Sequence, residues 1–109
     1  MIEFDALPSA KSCRLIDFDK ADLVAGAVPN SWILVVTGTK PWLNMEIRLS
    51  PLIYVTQPEY WGIEVVGCLP GIGLPAEAPY HITLPIQSWG SMGIEVLGAA
   101  KSKKIQIPK

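Results

Sequence analysis

Along residues 44–50 the chain alternates, with Met45, Ile47 and Leu49 on one side and Glu46, Arg48 and Ser50 on the other. That period of two is the pattern of a half-buried β-strand. Other short runs rich in β-branched and aromatic residues read as strands at 13–18, 31–39, 61–66, 80–86, 93–97 and 104–107. Residues 52–55 read as extended, and 23–28 as a strand or a single helical turn limited by Gly26 and Pro29. No segment carries a 3.6-residue apolar stripe over three turns, and ten prolines spread along the chain work against long helices. The pattern predicts a single all-β domain over residues 1–109, a small β-sandwich or barrel of about seven or eight short strands. Residues 1–11 read as an irregular arm. Residues 67–79, with three prolines and three glycines, read as one long irregular loop.

A degenerate repeat runs through the same segments. Gly62-Ile63-Glu64-Val65-Val66-Gly67 returns as Gly93-Ile94-Glu95-Val96-Leu97-Gly98, and more loosely as Ile33-Leu34-Val35-Val36-Thr37-Gly38. Each is followed by an isoleucine-led stretch ending in proline, at Ile47–Pro51, Ile82–Pro85 and Ile105–Pro108. The order suggests about three strand pairs. It predicts that Ile63, Val65, Ile94 and Val96 face the core while Glu64 and Glu95 face away.

Composition adds a surface problem. Hydrophobic residues make up 50% and charged residues 17% of the chain, below the usual quarter for charges. A small domain has a high surface-to-volume ratio, so self-association that hides apolar surface is the expectation, against the alternative that Ala, Gly and Pro merely inflate the apolar fraction. The net charge of −1 and pI near 5.7 argue against bulk electrostatic capture of nucleic acid. Asp17, Asp19 and Asp22 cluster near the start, and Lys101, Lys103, Lys104 and Lys109 near the end. They read as a solvated turn and tail, or as head-to-tail complementarity between subunits. No apolar run of about 18 residues predicts a membrane-spanning helix, and acids at Glu3 and Asp5 stand where an export signal carries basic residues. The expected compartment is the cytoplasm, with no membrane partner, and there Cys13 and Cys68 are expected as free thiols.

Candidate chemistry is sparse. Glu64 and Glu95 occupy equivalent repeat positions and, on paired strands, could share a proton or bind a cation; the simpler reading is a solvent face. His81, the single histidine, could pair with a cysteine as a nucleophilic site, but no motif surrounds either cysteine. One histidine and two distant cysteines match no zinc pattern. Gly71-Ile72-Gly73 lacks the third glycine and the helix of a nucleotide site. Trp32 and Trp61, at strand heads, are expected in the core. Trp42 and Trp89, in loops, are candidate interface anchors, together with Leu69, Ile72 and Leu74 of the 67–79 loop. The expectation is a non-catalytic, self-associating assembly or binding module without cofactor or metal. The alternative is a small ligand-binding protein or enzyme with a site at a subunit boundary, using Glu64, Glu95 or His81 and the 67–79 loop.

Overall fold

Eight strands form the regular structure of residues 12–108, the part of the chain that the computed structural model describes. They are β1 (Ser12–Leu15), β2 (Lys20–Ala25), β3 (Trp32–Lys40), β4 (Glu46–Pro51), β5 (Tyr60–Leu69), β6 (Ala78–Pro85), β7 (Gly93–Leu97) and β8 (Ser102–Gln106). The irregular arm expected over residues 1–11 lies outside the described residues. The strands form two sheets, a sandwich and not a closed barrel.

β5 organises the larger sheet. β4 lies antiparallel along one of its edges. The other edge is shared end to end, with β1 antiparallel to residues 66–69 and β7 parallel to residues 60–64. β8 completes this sheet beyond β7. The smaller sheet runs β2-β3-β6, antiparallel throughout. β4 neighbours β6 along one flank of the sandwich, and β2 neighbours β8 along the other. On the second flank the Lys103 ammonium donates to the Ala21 carbonyl at 2.7 Å and lies 3.5 Å from the Asp22 carboxylate.

The core follows from alternation on both inner faces. Ile63 and Val65 of β5, Ile94 and Val96 of β7 and Leu49 of β4 meet Leu34 and Val36 of β3 and Ala21 of β2. Glu64 and Glu95 are only partly buried, so the expected inward and outward assignment holds at these positions. Met45 and Leu49 are buried as their alternation predicts, with Ile47 partly buried. Ile16 and Phe18, between β1 and β2, close the core from the side.

The pairing differs from three strand pairs in sequence order. Of the three supposed strand pairs only the third, β7 with β8, forms. β3 pairs with β6 and β5 with β4, so the first two supposed pairs are split between sheets. The 67–79 loop is also shorter than expected. Gly67, Cys68 and Leu69 belong to β5, and Ala78 and Pro79 to β6, leaving 70–77 as the irregular part. Gly67 does not break β5, because Met45 and Ile16 fill the space beside it that a side chain would occupy.

The cysteines are not free thiols. Cys13 and Cys68 stand directly opposite on β1 and β5 and form a disulfide, with Cα atoms 4.1 Å apart. The expectation failed because it was argued from compartment, whereas the ladder register brings the two side chains together.

Candidate functional site

The two ends of the sandwich carry the exposed apolar side chains. At one end β3 turns into β4 through residues 41–45, and β5 turns into β6 through 70–77. Asn44 ties these loops together: its side-chain amide donates to the Ile72 carbonyl at 3.0 Å, and its carbonyl oxygen accepts from the Leu74 N–H at 2.9 Å. The Leu43 N–H adds a bond to the Leu74 carbonyl at 3.1 Å. The Trp42 ring lies against Gly73 so closely that a Cβ there would meet it at 2.6 Å, which requires glycine at this position. The result is a braced tip on which Ile72 is 91% exposed, with Leu43 and Leu74 about half exposed. Leu69 is partly buried against the core and is not part of the exposed surface.

The opposite end lies roughly 30 Å away along the ten residues of β5. Here the sheets part around a cleft of about 220 Å³, lined by Pro51, Trp61, Ile63, Leu84, Ile86 and Ser88 among others, none of them charged. Trp61 was expected in the core; it is partly buried at the core's edge and forms a wall of this cleft. Its indole N–H donates to the Leu52 carbonyl at 2.9 Å, and Tyr54 packs edge-on against it at 4.9 Å between ring centroids. The Tyr54 hydroxyl accepts from the Gly62 N–H at 3.1 Å, and the Leu52 N–H donates to the Gly62 carbonyl at 2.9 Å. These bonds fix residues 52–55, yet Ile53 is 96% and Val55 104% exposed. Met92 and Ile107 are exposed at this end too, near the start of β7 and the end of β8, as are Val24 and Val28 beside the β2–β3 turn. That turn has Pro29 and Asn30 at its centre, Asn30 with φ 63°, and closes through the Ser31 N–H to the Val28 carbonyl at 3.1 Å. Trp32 begins β3 at this end and is partly buried, outside the core cluster where it was expected.

The loop tryptophans therefore serve different ends. Trp42 braces the 70–77 tip. Trp89 packs partly buried against the core in the loop before β7, where its carbonyl accepts from the Gln57 amide at 2.9 Å. They do not form one surface.

The polar candidates do not converge either. Glu64 stands opposite Ser50 and Leu97, and Glu95 opposite Gly62 and Lys104. The parallel β5–β7 register staggers the two carboxylates by two residues on the sheet's outer face. His81 is exposed on β6 in the other sheet, beside a shallow seam between β4 and β6 that Lys40 and Glu46 also line. Lys40 donates there to the Met45 carbonyl at 2.9 Å. Neither cysteine can serve His81 as a nucleophile while both sulfurs are bonded to each other. Among the described residues no three of His, Cys, Asp and Glu gather as a metal-binding group, and no helix is long and apolar enough to cross a membrane.

The acidic and basic clusters meet within one chain. Asp17 accepts from the Ala100 N–H at 2.7 Å, Asp22 lies beside Lys103, and the Lys101 ammonium sits 5.0 Å from the centre of the Phe18 ring. In sequence these charges read as a solvated turn and tail, with a contact between subunits as the alternative; here they join the β7–β8 turn and β8 to β2 and the segment before it. Sequence reasoning missed the cleft end, although the alternating row Met45, Ile47, Leu49, Pro51, Ile53, Val55 was available as a signal. Comparison with known protein families, curated proteins and solved structures finds no match, so the functional reading rests on the chemistry of the two ends.

Proposed function

We propose that this chain is a non-catalytic β-sandwich module that associates with copies of itself through its apolar ends. One observation carries the reading: exposed apolar side chains sit on braced backbone, with Ile72 on the Asn44-tied tip and Ile53 and Val55 on the segment pinned to Gly62. Apolar side chains presented from a fixed backbone favour contact, because little backbone entropy remains to be lost on docking. The scattered placement of Glu64, Glu95 and His81 gives the enzymatic alternative no comparable support.

Light scattering after size exclusion at micromolar concentration tests the reading. The expected mass exceeds the 11.9 kDa of one chain, and a monomer defeats it. Ile72→Glu/Leu74→Glu is expected to lower the mass by removing the tip contact. An unchanged mass takes the tip out of the interface. Leu69 is a poor probe, since its packing against the core would confound association with stability.

The cytoplasmic placement expected from sequence and the Cys13–Cys68 bond pull in opposite directions, because structural disulfides persist in oxidising surroundings. We favour a setting in which the bond stays closed. Alkylation of thiols on rapid lysis, read by mass, checks this: two blocked cysteines would return the protein to a reducing compartment.

A further inference from the structure

We propose that the cleft between the sheets receives Ile53 of a second copy of this chain, across a two-fold axis at that end of the sandwich. This rests on the association reading and specifies one of its contacts. The cleft of about 220 Å³ has no charged residue in its wall, so it suits an uncharged, apolar group. A cavity of about 150 Å³ is enough to hold a benzene ring, so a branched aliphatic side chain fits this one.

Such a side chain stands at the same end of the molecule. Ile53 is 96% exposed and follows Pro51, itself part of the cleft wall, by two residues. Its backbone is held by the Leu52–Gly62 bond and by the Tyr54–Trp61 contact. A protruding group and a receiving cleft on one end are self-complementary under two-fold symmetry, where each copy gives one side chain and accepts one. Val55 and Met92, also exposed there, supply further apolar contact around the junction. A free small molecule is the weaker occupant. Small-molecule sites fix orientation with well-placed polar groups, and here the indole N–H of Trp61 is already bonded to Leu52.

The test uses the full chain carrying Ile72→Glu/Leu74→Glu, so that the tip makes no contribution. This protein is expected to remain a dimer of about twice 11.9 kDa. Adding Ile53→Ser, or filling the cleft from its exposed rim with Ser88→Trp, is expected to weaken dimerisation at least tenfold. Gln87→Trp serves as a second filler, and circular dichroism confirms that each variant folds. Mixing the Ile53→Ser protein with the Ser88→Trp protein restores one intact contact per pair. Dimer should then reappear at concentrations where either protein alone is monomeric. A monomeric tip variant, a dimer indifferent to both substitutions, or no recovery on mixing overturns the proposal. If the unsubstituted chain still associates in those cases, the association reading survives. If the unsubstituted chain is a monomer, both fail.

Discussion

Tyr80 faces Gly38 across the β3–β6 ladder, and its ring occupies the space a side chain at Gly38 would need, with contacts to an added Cβ as short as 2.7 Å. The ring covers the glycine as aromatic residues do on sheets. Its hydroxyl donates to the Asp17 carbonyl at 2.8 Å, tying β6 to the segment before β2. Burial, followed by the negative charges of Asp19 and Asp17, pushes the phenol from the ordinary 10.0 up to about 12. The folded protein therefore holds this proton more tightly than the unfolded chain does. Stability from Tyr80 is complete below pH 10 and is lost as pH rises from about 10 to about 12. Urea midpoints measured at pH 9 and pH 11 should show a drop in the native protein. The drop should shrink in Tyr80→Phe, with Tyr54, Tyr60 and the lysines common to both proteins. An equal drop in the variant would mean Tyr80 is not the group responsible.

At the scale of elements, β5 and β7 lie side by side and send Ile63, Val65, Ile94 and Val96 into the core while Glu64 and Glu95 stay on the outer face. Ile63→Ala or Ile94→Ala should each cost about 2–5 kcal/mol by leaving a cavity, whereas Glu64→Gln should cost about 0.5 kcal/mol or less. Chemical denaturation of the three variants separates these outcomes, and a strongly destabilised Glu64→Gln would contradict the outer-face assignment. β1, four residues long, is fastened to β5 by the Cys13–Cys68 bond as well as by its ladder. The cysteines are 55 residues apart in sequence, and closing a loop of that size lowers unfolded-chain entropy by an amount worth about 4 kcal/mol. Reduction should lower the urea midpoint accordingly. Thiol titration of the denatured, unreduced protein should detect no free cysteine. Two free thiols would mean that the bond is open in solution.

The whole molecule has two apolar ends, and between them Asp22 pairs with Lys103 while Asp17 and Lys101 engage a backbone N–H and an aromatic ring of the same chain. Asp17, Asp22, Lys101 and Lys103 act inside the chain, where the β7–β8 turn meets β2. Association should therefore be driven by apolar burial and not by charge. Raising salt to 1 M shortens the screening length to about 3 Å, and the mass from light scattering should not fall. Dissociation at high salt would transfer the interface to the charged clusters. The braced tip and the pinned 52–55 segment are stiff presentations of apolar surface, consistent with contacts that form without rearrangement.

Much of the architecture is local and was legible. The alternation of Met45, Ile47 and Leu49 follows from the two-residue period of a strand, and β7 spans Gly93–Leu97, the range read from its residues. Ten prolines disfavour helix by steric and hydrogen-bonding rules that act at each position. Side-chain periodicity shows which face of a strand is buried, but it does not name the strand's neighbour. The pairing of β3 with β6, the facing of Cys13 and Cys68, and the meeting of the acidic and lysine clusters depend on contacts between residues far apart in sequence. The same holds for the ends. Residues 52–55 read only as extended, and only the packed sandwich decides that Ile53 and Val55 lie beyond the covered core and stand in water. The physical reason is that strand character is set by near neighbours, whereas pairing, cleft and exposed surface are set by how two sheets of different extent close over one core.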